Sequence, residues 1–159
     1  MGVRPATVLP GQLLEAVTLP GVPSDVLLAS PGVDSNLLLL FERGHWCVSC
    51  RKHLIQVAAS IYEFSRRCTE VVAIVHESLD DVRTAALRAD YPFPVASDVD
   101  LAVSEPLELV GVDEYGKRTI RPAAIIVRPD GEIAFSYVGD DSIDRLSVPA
   151  LLLALDRFA

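Results

Sequence analysis

The chain has 159 residues, half of them hydrophobic, with 14 basic and 22 acidic side chains and a net charge of −8. That length suits a single domain, 1–159, with a core large enough to need no disulfide or metal staple. The acidity makes nucleic acid an unfavourable partner, and apolar runs such as Leu37–Phe41 fall far short of the ~20 residues that span a bilayer. The N-terminal MGVRPATVLPG lacks the apolar stretch of a secretory signal. The expected compartment is therefore the cytoplasm, where structural disulfides are rare.

Residues 1–35 are rich in Pro and Gly and read as an N-terminal extension with one or two short strands, packed on the core. NLLLLFERG follows, a continuous apolar run of the kind found in a strand buried on both faces. Gly44 ends it, HWCVSC forms a turn, and from Cys50 to about Arg67 the spacing becomes helical. Leu54, Val57, Ala58, Ile61 and Phe64 recur there at three- and four-residue intervals. VVAIV (71–75) predicts a second buried strand, and residues 79–90 a helix capped by Ser78, with Asp80 and Asp81 at its positive end. Tyr91-Pro92-Phe93-Pro94 stops that helix. PVASD is extended, the stretch through Val112 holds a short helix, and DEYGKRT is a polar loop. AAIIV and EIAFSYVG, joined by the turn Arg128-Pro129-Asp130-Gly131, make a closing hairpin, and Val148–Phe158 a last helix opened by Ser147. The order predicts an α/β fold with a central mixed sheet flanked by helices.

The chemistry concentrates at Cys47 and Cys50. A pair three residues apart at the start of a helix can meet the Cα separation that a disulfide requires. The helix N-terminus offers free N–H groups and partial positive charge, which favour the reactive thiolate, and Arg51 and Lys52 add charge nearby. A zinc site would need two further ligands; Cys68, His45, His53 and His76 are the cysteine and histidines that remain, and no second Cys-x-x-Cys or His pair accompanies them. No metal or organic cofactor is therefore expected. A buried structural pair is the other alternative, and the adjacent Trp46 speaks against it, since a large ring beside a turn shapes a binding surface.

FERGHWCVSCRKHL resembles the Phe-x-Arg-Gly-x-Trp-Cys-x-x-Cys segment of peroxiredoxin-like proteins of the alkyl hydroperoxide reductase/thiol-specific antioxidant group, in the thioredoxin superfamily. FPVASDVDLAVSEPLELVGV, RPAAIIVRPDGEIAFSYVG and DDSIDRLSVPALLLAL resemble later segments of the same family in order and spacing, so the likeness covers roughly residues 10–158. It implies a thioredoxin-like fold and a thiol-dependent reductase of peroxides or disulfides, with Cys47 and Cys50 as the redox pair. It also implies a reducing thiol or thioredoxin-type donor and a possible homodimer. Pro122 matches a proline that is typically cis in such folds and faces the cysteines. Which sulfur attacks is open: the thioredoxin pattern gives Cys47, whereas counting from Phe41 by the peroxiredoxin pattern gives Cys50. Arg43 stands where that pattern has proline, and Arg121 beside Pro122 falls near the slot of a thiolate-stabilising arginine.

Other side chains receive weaker assignments. Cys68 is expected to be a buried or semi-exposed bystander, and His53 to lie at the helix surface. His45 either tunes a thiolate or is an exposed turn residue. His76 ends a strand near where such sheets bind ligands. Glu42 is read as a surface or strand-end carboxylate rather than a proton acceptor, and LLLLF offers no buried acid beneath the cysteines. The rival to an enzyme is a non-enzymatic redox sensor or partner-binding module of the same fold.

Overall fold

The computed structural model describes residues 10–29 and 31–159; the first nine residues and Ser30 of the expected extension lie outside them. The described part of that extension forms three short strands rather than one or two: β1 (Val17–Leu19), β2 (Gly21–Val22) and β3 (Val26–Leu28). Then follow β4 (Asn36–Glu42), α1 (Val48–Ala59), α2 (Ile61–Ser65), β5 (Thr69–Val75), α3 (Leu79–Ala89) and β6 (Val95–Ser97). The chain ends with β7 (Val110–Val112), β8 (Arg118–Ile120), β9 (Ala123–Val127), β10 (Ile133–Val138) and α4 (Val148–Phe158).

Six strands build the central mixed sheet in the order β10-β9-β4-β5-β6-β2. β4, β5 and β6 are parallel; β9, β10 and β2 run antiparallel to their neighbours. From β4 the chain steps to β5 and then to β6 in one direction. Right-handed crossovers then place α1 and α3 on the same face of the sheet. Leu38 and Leu40 of β4 meet Leu54 and Val57 of α1, Val82 of α3 and Leu151 of α4 on that face. Leu37, Leu39 and Phe41 point to the opposite face, where Leu19, Val26 and Leu28 of the N-terminal strands cover them together with Leu101 and Leu109. The period of two along β4 thus divides one apolar run between two cores.

Two predicted helices change form. The helix expected through Arg67 breaks at Ser60, whose N–H bonds Val57 O at 3.0 Å instead of continuing the α pattern; α2 then redirects Phe64 into the core. The short helix expected in 99–112 is instead a series of turns followed by β7. The buried Asp98 carboxylate accepts from the amides of Val103 (3.2 Å) and Ser104 (2.9 Å) and from the Ser104 hydroxyl (2.7 Å). Those amides would otherwise serve a helix. Residues of the polar loop DEYGKRT close the β7–β8 hairpin, with Asp113 Oδ1 accepting from the amides of Tyr115 and Lys117. The caps of α3 and α4 are those expected: Ser78 accepts from Asp81 N–H and Ser147 from Ala150 N–H.

Ile125 lies fully buried in β9, between β4 and β10. Ile125→Ala is expected to cost about 2–5 kcal/mol, the range for a core truncation that leaves a cavity. Ser147→Ala should cost about 1 kcal/mol, the value of an N-cap. Chemical denaturation measures both, and equal losses would contradict this division.

Candidate active site

β4 delivers Glu42 to its C-terminal end in the middle of the sheet, and a short turn later the chain enters α1. Cys47 is the N-cap of α1, with extended backbone (φ −86°, ψ 118°), and its sulfur accepts the N–H of Cys50 at 3.4 Å. Two further bonds close the turn: Cys47 N–H to Gly44 O at 3.2 Å, and Arg51 Nη1 to His45 O at 3.0 Å. Gly44 is required by space. A Cβ there would stand 2.7 Å from the Trp46 ring nitrogen and 2.9 Å from the Glu77 carboxyl carbon. Both cysteines are free thiols; Cys47 is 7% exposed and Cys50 0%. Cys50, His53, Leu54 and Val57 form the inner face of α1, which explains why the second sulfur is the deeper one.

A buried polar chain stands behind Cys50. Arg145 Nη2 donates to Cys50 Sγ at 2.9 Å, and Arg145 Nη1 pairs with Glu42 Oε2. Glu42 Oε1 lies 2.7 Å from His53 Nδ1, and His53 Nε2 lies 2.9 Å from Leu146 O. Burial pushes the Cys50 thiol up to about 12, and the Cys47 thiol adds to the push; the backbone of Gly44 and Arg43 pulls the other way. Burial also lowers Arg145, to about 10, which leaves it a cation at neutral pH. A guanidinium so close to Sγ favours the thiolate whenever the proton leaves.

The outer side of the turn is apolar and open. Trp46 and Val48, on either side of Cys47, are 52% and 59% exposed. The Arg43 guanidinium lies 4.7 Å from the Trp46 ring centroid, donates to Glu114 at 2.9 Å, and keeps its Nε buried without a partner. Arg43, Arg121 and Pro122 line a cleft of about 290 Å³ with the β7–β8 hairpin and residues 139–142. On the other flank, Glu77 Oε1 receives the His45 amide and meets its Nδ1, each at 2.8 Å, and the His45 ring stacks on Tyr91.

Five of the residues singled out from the sequence therefore gather at the turn: Arg43, Trp46, Cys47, Cys50 and Arg51. Arg121 and Pro122 share the cleft with Arg43. The guanidinium on Cys50 comes from Arg145, not from the Arg121 region; Arg121 Nη2 instead donates to Gly139 O at 3.3 Å. Pro122 is trans, and its carbonyl accepts Gly139 N–H at 2.7 Å beside the β9–β10 pairing; the cis bond among the described residues is Val22–Pro23. Glu42 and His53 are not surface groups. They are 1% and 7% exposed, so a buried acid does lie beside the cysteines. His45 is largely shielded against Glu77 rather than exposed. His76 bonds Thr119 Oγ1 at 3.0 Å. Cys68 is exposed, since it follows α2 in a left-handed turn (φ 50°) away from the core. No group of three or more His, Cys, Asp or Glu side chains among the described residues could hold a metal ion.

Known proteins agree with this architecture. The profile of the AhpC/TSA family matches residues 15–136, so the chain belongs to that family. Peroxidoxin BcpB from Mycobacterium tuberculosis superimposes with a TM-score of 0.80 at 17% identity, covering 92% of this chain and 96% of that one. A cysteine-to-serine mutant of peroxiredoxin 6 from Arenicola marina gives 0.82 at 14% identity, over 94% and 72% of the two chains. The mitochondrial 2-Cys peroxiredoxin from Plasmodium falciparum gives 0.79 at 19% identity, over 93% and 92%. These likenesses show the thioredoxin-like peroxiredoxin fold. NHL repeat-containing protein 2 of Bos taurus is 26% identical over 107 residues, 63% of this chain but 14% of that much longer protein.

The Glu77–His45 contact yields a pH prediction. Burial pushes the Glu77 carboxyl up, but the bonds from the His45 ring and amide outweigh it and hold Glu77 below its ordinary 4.5. A depressed carboxyl stabilises the fold above its ordinary value, and that contribution is lost as pH falls through the lower folded value. Glu77→Gln should cost about 1–3 kcal/mol at neutral pH, with the gap to wild type narrowing as pH drops below that ordinary value. Denaturation curves at neutral and acid pH measure it; a gap independent of pH would contradict the lowered carboxyl.

Proposed function

We propose that this protein is a two-cysteine peroxide and disulfide reductase in which Cys47 attacks and Cys50 resolves. The observation that carries the reading is the asymmetry of the pair. Cys47 caps α1 beneath the exposed Trp46 and Val48, whereas Cys50 is wholly buried against Arg145. Substrate reaches the first sulfur and not the second.

With a hydroperoxide ROOH, the Cys47 thiolate takes the terminal oxygen. The O–O bond breaks, the alkoxide leaves and gains a proton as ROH, and Cys47 becomes a sulfenic acid. Cys50 then attacks that sulfur, water departs, and the Cys47–Cys50 disulfide forms. With a disulfide substrate, Cys47 first makes a mixed disulfide, and Cys50 displaces the substrate's remaining thiolate. Two equivalents of a reducing thiol, or one thioredoxin-type dithiol, restore the pair. The cytoplasm, our expected compartment, supplies such donors. The buried Cys50 thiol is suited to wait, and Arg145 stabilises the thiolate it becomes as it attacks.

One observation favours the reverse order. Arg145 touches Cys50, so a small peroxide admitted to the interior would find its activated thiolate there. Separate serine variants decide. Under Cys47 attack, Cys50→Ser performs one round and accumulates a Cys47 sulfenic acid or mixed disulfide, while Cys47→Ser is inert. Reversed results assign the attack to Cys50. Many turnovers by wild type with a regenerating thiol support the enzyme. A single stoichiometric oxidation supports a sensor instead, and full activity in both variants would refute the pair.

A further inference from the structure

The chain behind Cys50 contains a hydrogen-bond count that fixes its charge. Leu146 O can only accept, so His53 Nε2, 2.9 Å away, carries a hydrogen. A neutral imidazole then presents a lone pair at Nδ1. That lone pair faces Glu42 Oε1 at 2.7 Å, and two lone pairs do not approach so closely without a proton between them. The pair is either a protonated Glu42 donating to His53 or an ionised Glu42 accepting from a charged one. Both arrangements are neutral overall.

We propose that Glu42 and His53 jointly hold one proton, and that this pair is a positioning device that leaves the positive charge of Arg145 available to Cys50. An ionised Glu42 beside a neutral His53 would cancel that charge at Nη1. With the shared proton in place, the uncompensated cation of this buried network is the guanidinium on Cys50 Sγ. Burial disfavours a charged His53, which places the proton toward Glu42. The groups packed around the pair come from every neighbouring element. β4 supplies Glu42, α1 His53 and, through Arg145, Cys50, the 139–147 loop Arg145 and Asp144, and β10 Tyr137. Asp144 is already engaged, by the Tyr137 hydroxyl at 2.5 Å and the Asp140 amide at 2.8 Å. Helix geometry brings His53 to this place, one turn beyond Cys50 on the inner face of α1.

The proposal rests on the Cys47–Cys50 redox pair and predicts how fast Cys50 closes it. With Cys47 held as a mixed disulfide with glutathione, the Cys50 sulfur attacks Cys47 Sγ, the bond to glutathione breaks, glutathione leaves as a thiolate that takes up a proton, and the proton of Cys50 passes to solvent. Burial keeps Cys50 a thiol at neutral pH, so the charge on Arg145 acts on the thiolate formed during this attack and not on the resting dithiol. His53→Gln removes the proton-sharing base while keeping an N–H for Glu42. Glu42 then ionises against Arg145, and the closing rate should fall roughly tenfold.

Adding Glu42→Gln to that variant restores a neutral group beside Arg145. The double variant should close to within about twofold of the wild-type rate. Reduced protein treated with glutathione disulfide, quenched by alkylation at set times and read by intact mass, gives the rates, and His53→Asn, alone and with Glu42→Gln, carries the same prediction should the glutamine variant fold poorly. A merely structural role predicts a double variant no better than the single one, and that result overturns the proposal, as does an unchanged closing rate in His53→Gln. A wild type that forms no Cys47–Cys50 disulfide at all overturns the proposed function and this inference with it.

Discussion

The contact between Arg145 and Cys50 joins parts of the chain 95 residues apart, and the shape of the site depends on it. It ties the start of α1 to the loop leading into α4. That loop is held from several sides. Gly139 lies so close that a Cβ would meet Asp144 O at 2.1 Å, Asp144 binds the Tyr137 hydroxyl, and Leu146 O receives His53. A buried guanidinium is costly unless its donors are satisfied. Here Glu42, Ser142 O and a cysteine sulfur satisfy it, so the fold keeps a cation at the sulfur without leaving it alone in the interior.

β4 makes this possible through its alternation. Leu37, Leu39 and Phe41 fill one core, while Leu38 and Leu40 fill the other under the helices. Glu42 continues the second series, and the next position on the helix-bearing face is polar because α1 brings His53 and Cys50 there rather than another Leu. The site is thus the end of a hydrophobic core, with the last layer converted from leucines to an acid, an imidazole, a guanidinium and a thiol. Low dielectric strengthens each interaction among them.

Much of this is legible in the sequence. The apolar runs of β4, β5 and β9 and the serine caps of α3 and α4 are local signals, and so is a cysteine at the start of a helix. Glu42 and His53 are legible in principle, although their polarity argues for the surface. Extending the period of two from Leu38 and Leu40 puts Glu42 on the helix face, and reading the helix from Cys50 puts His53 inward with Leu54 and Val57. Each is buried because the other is its partner. Arg145 has no local signal, since only tertiary packing carries it to Cys50. The missing helix after Asp98 has the same origin: a buried carboxylate, invisible to periodicity, takes the amides.

The most direct test is a disulfide map of the full chain after one equivalent of hydrogen peroxide. Trypsin cuts after Arg43 and Arg51, so one peptide, residues 44–51, holds both sulfurs. That peptide should appear two hydrogens lighter and resist alkylation, while Cys68 stays free. An unlinked peptide with Cys47 untouched, or a bridge running through Cys68, would contradict the pairing from which this mechanism is built.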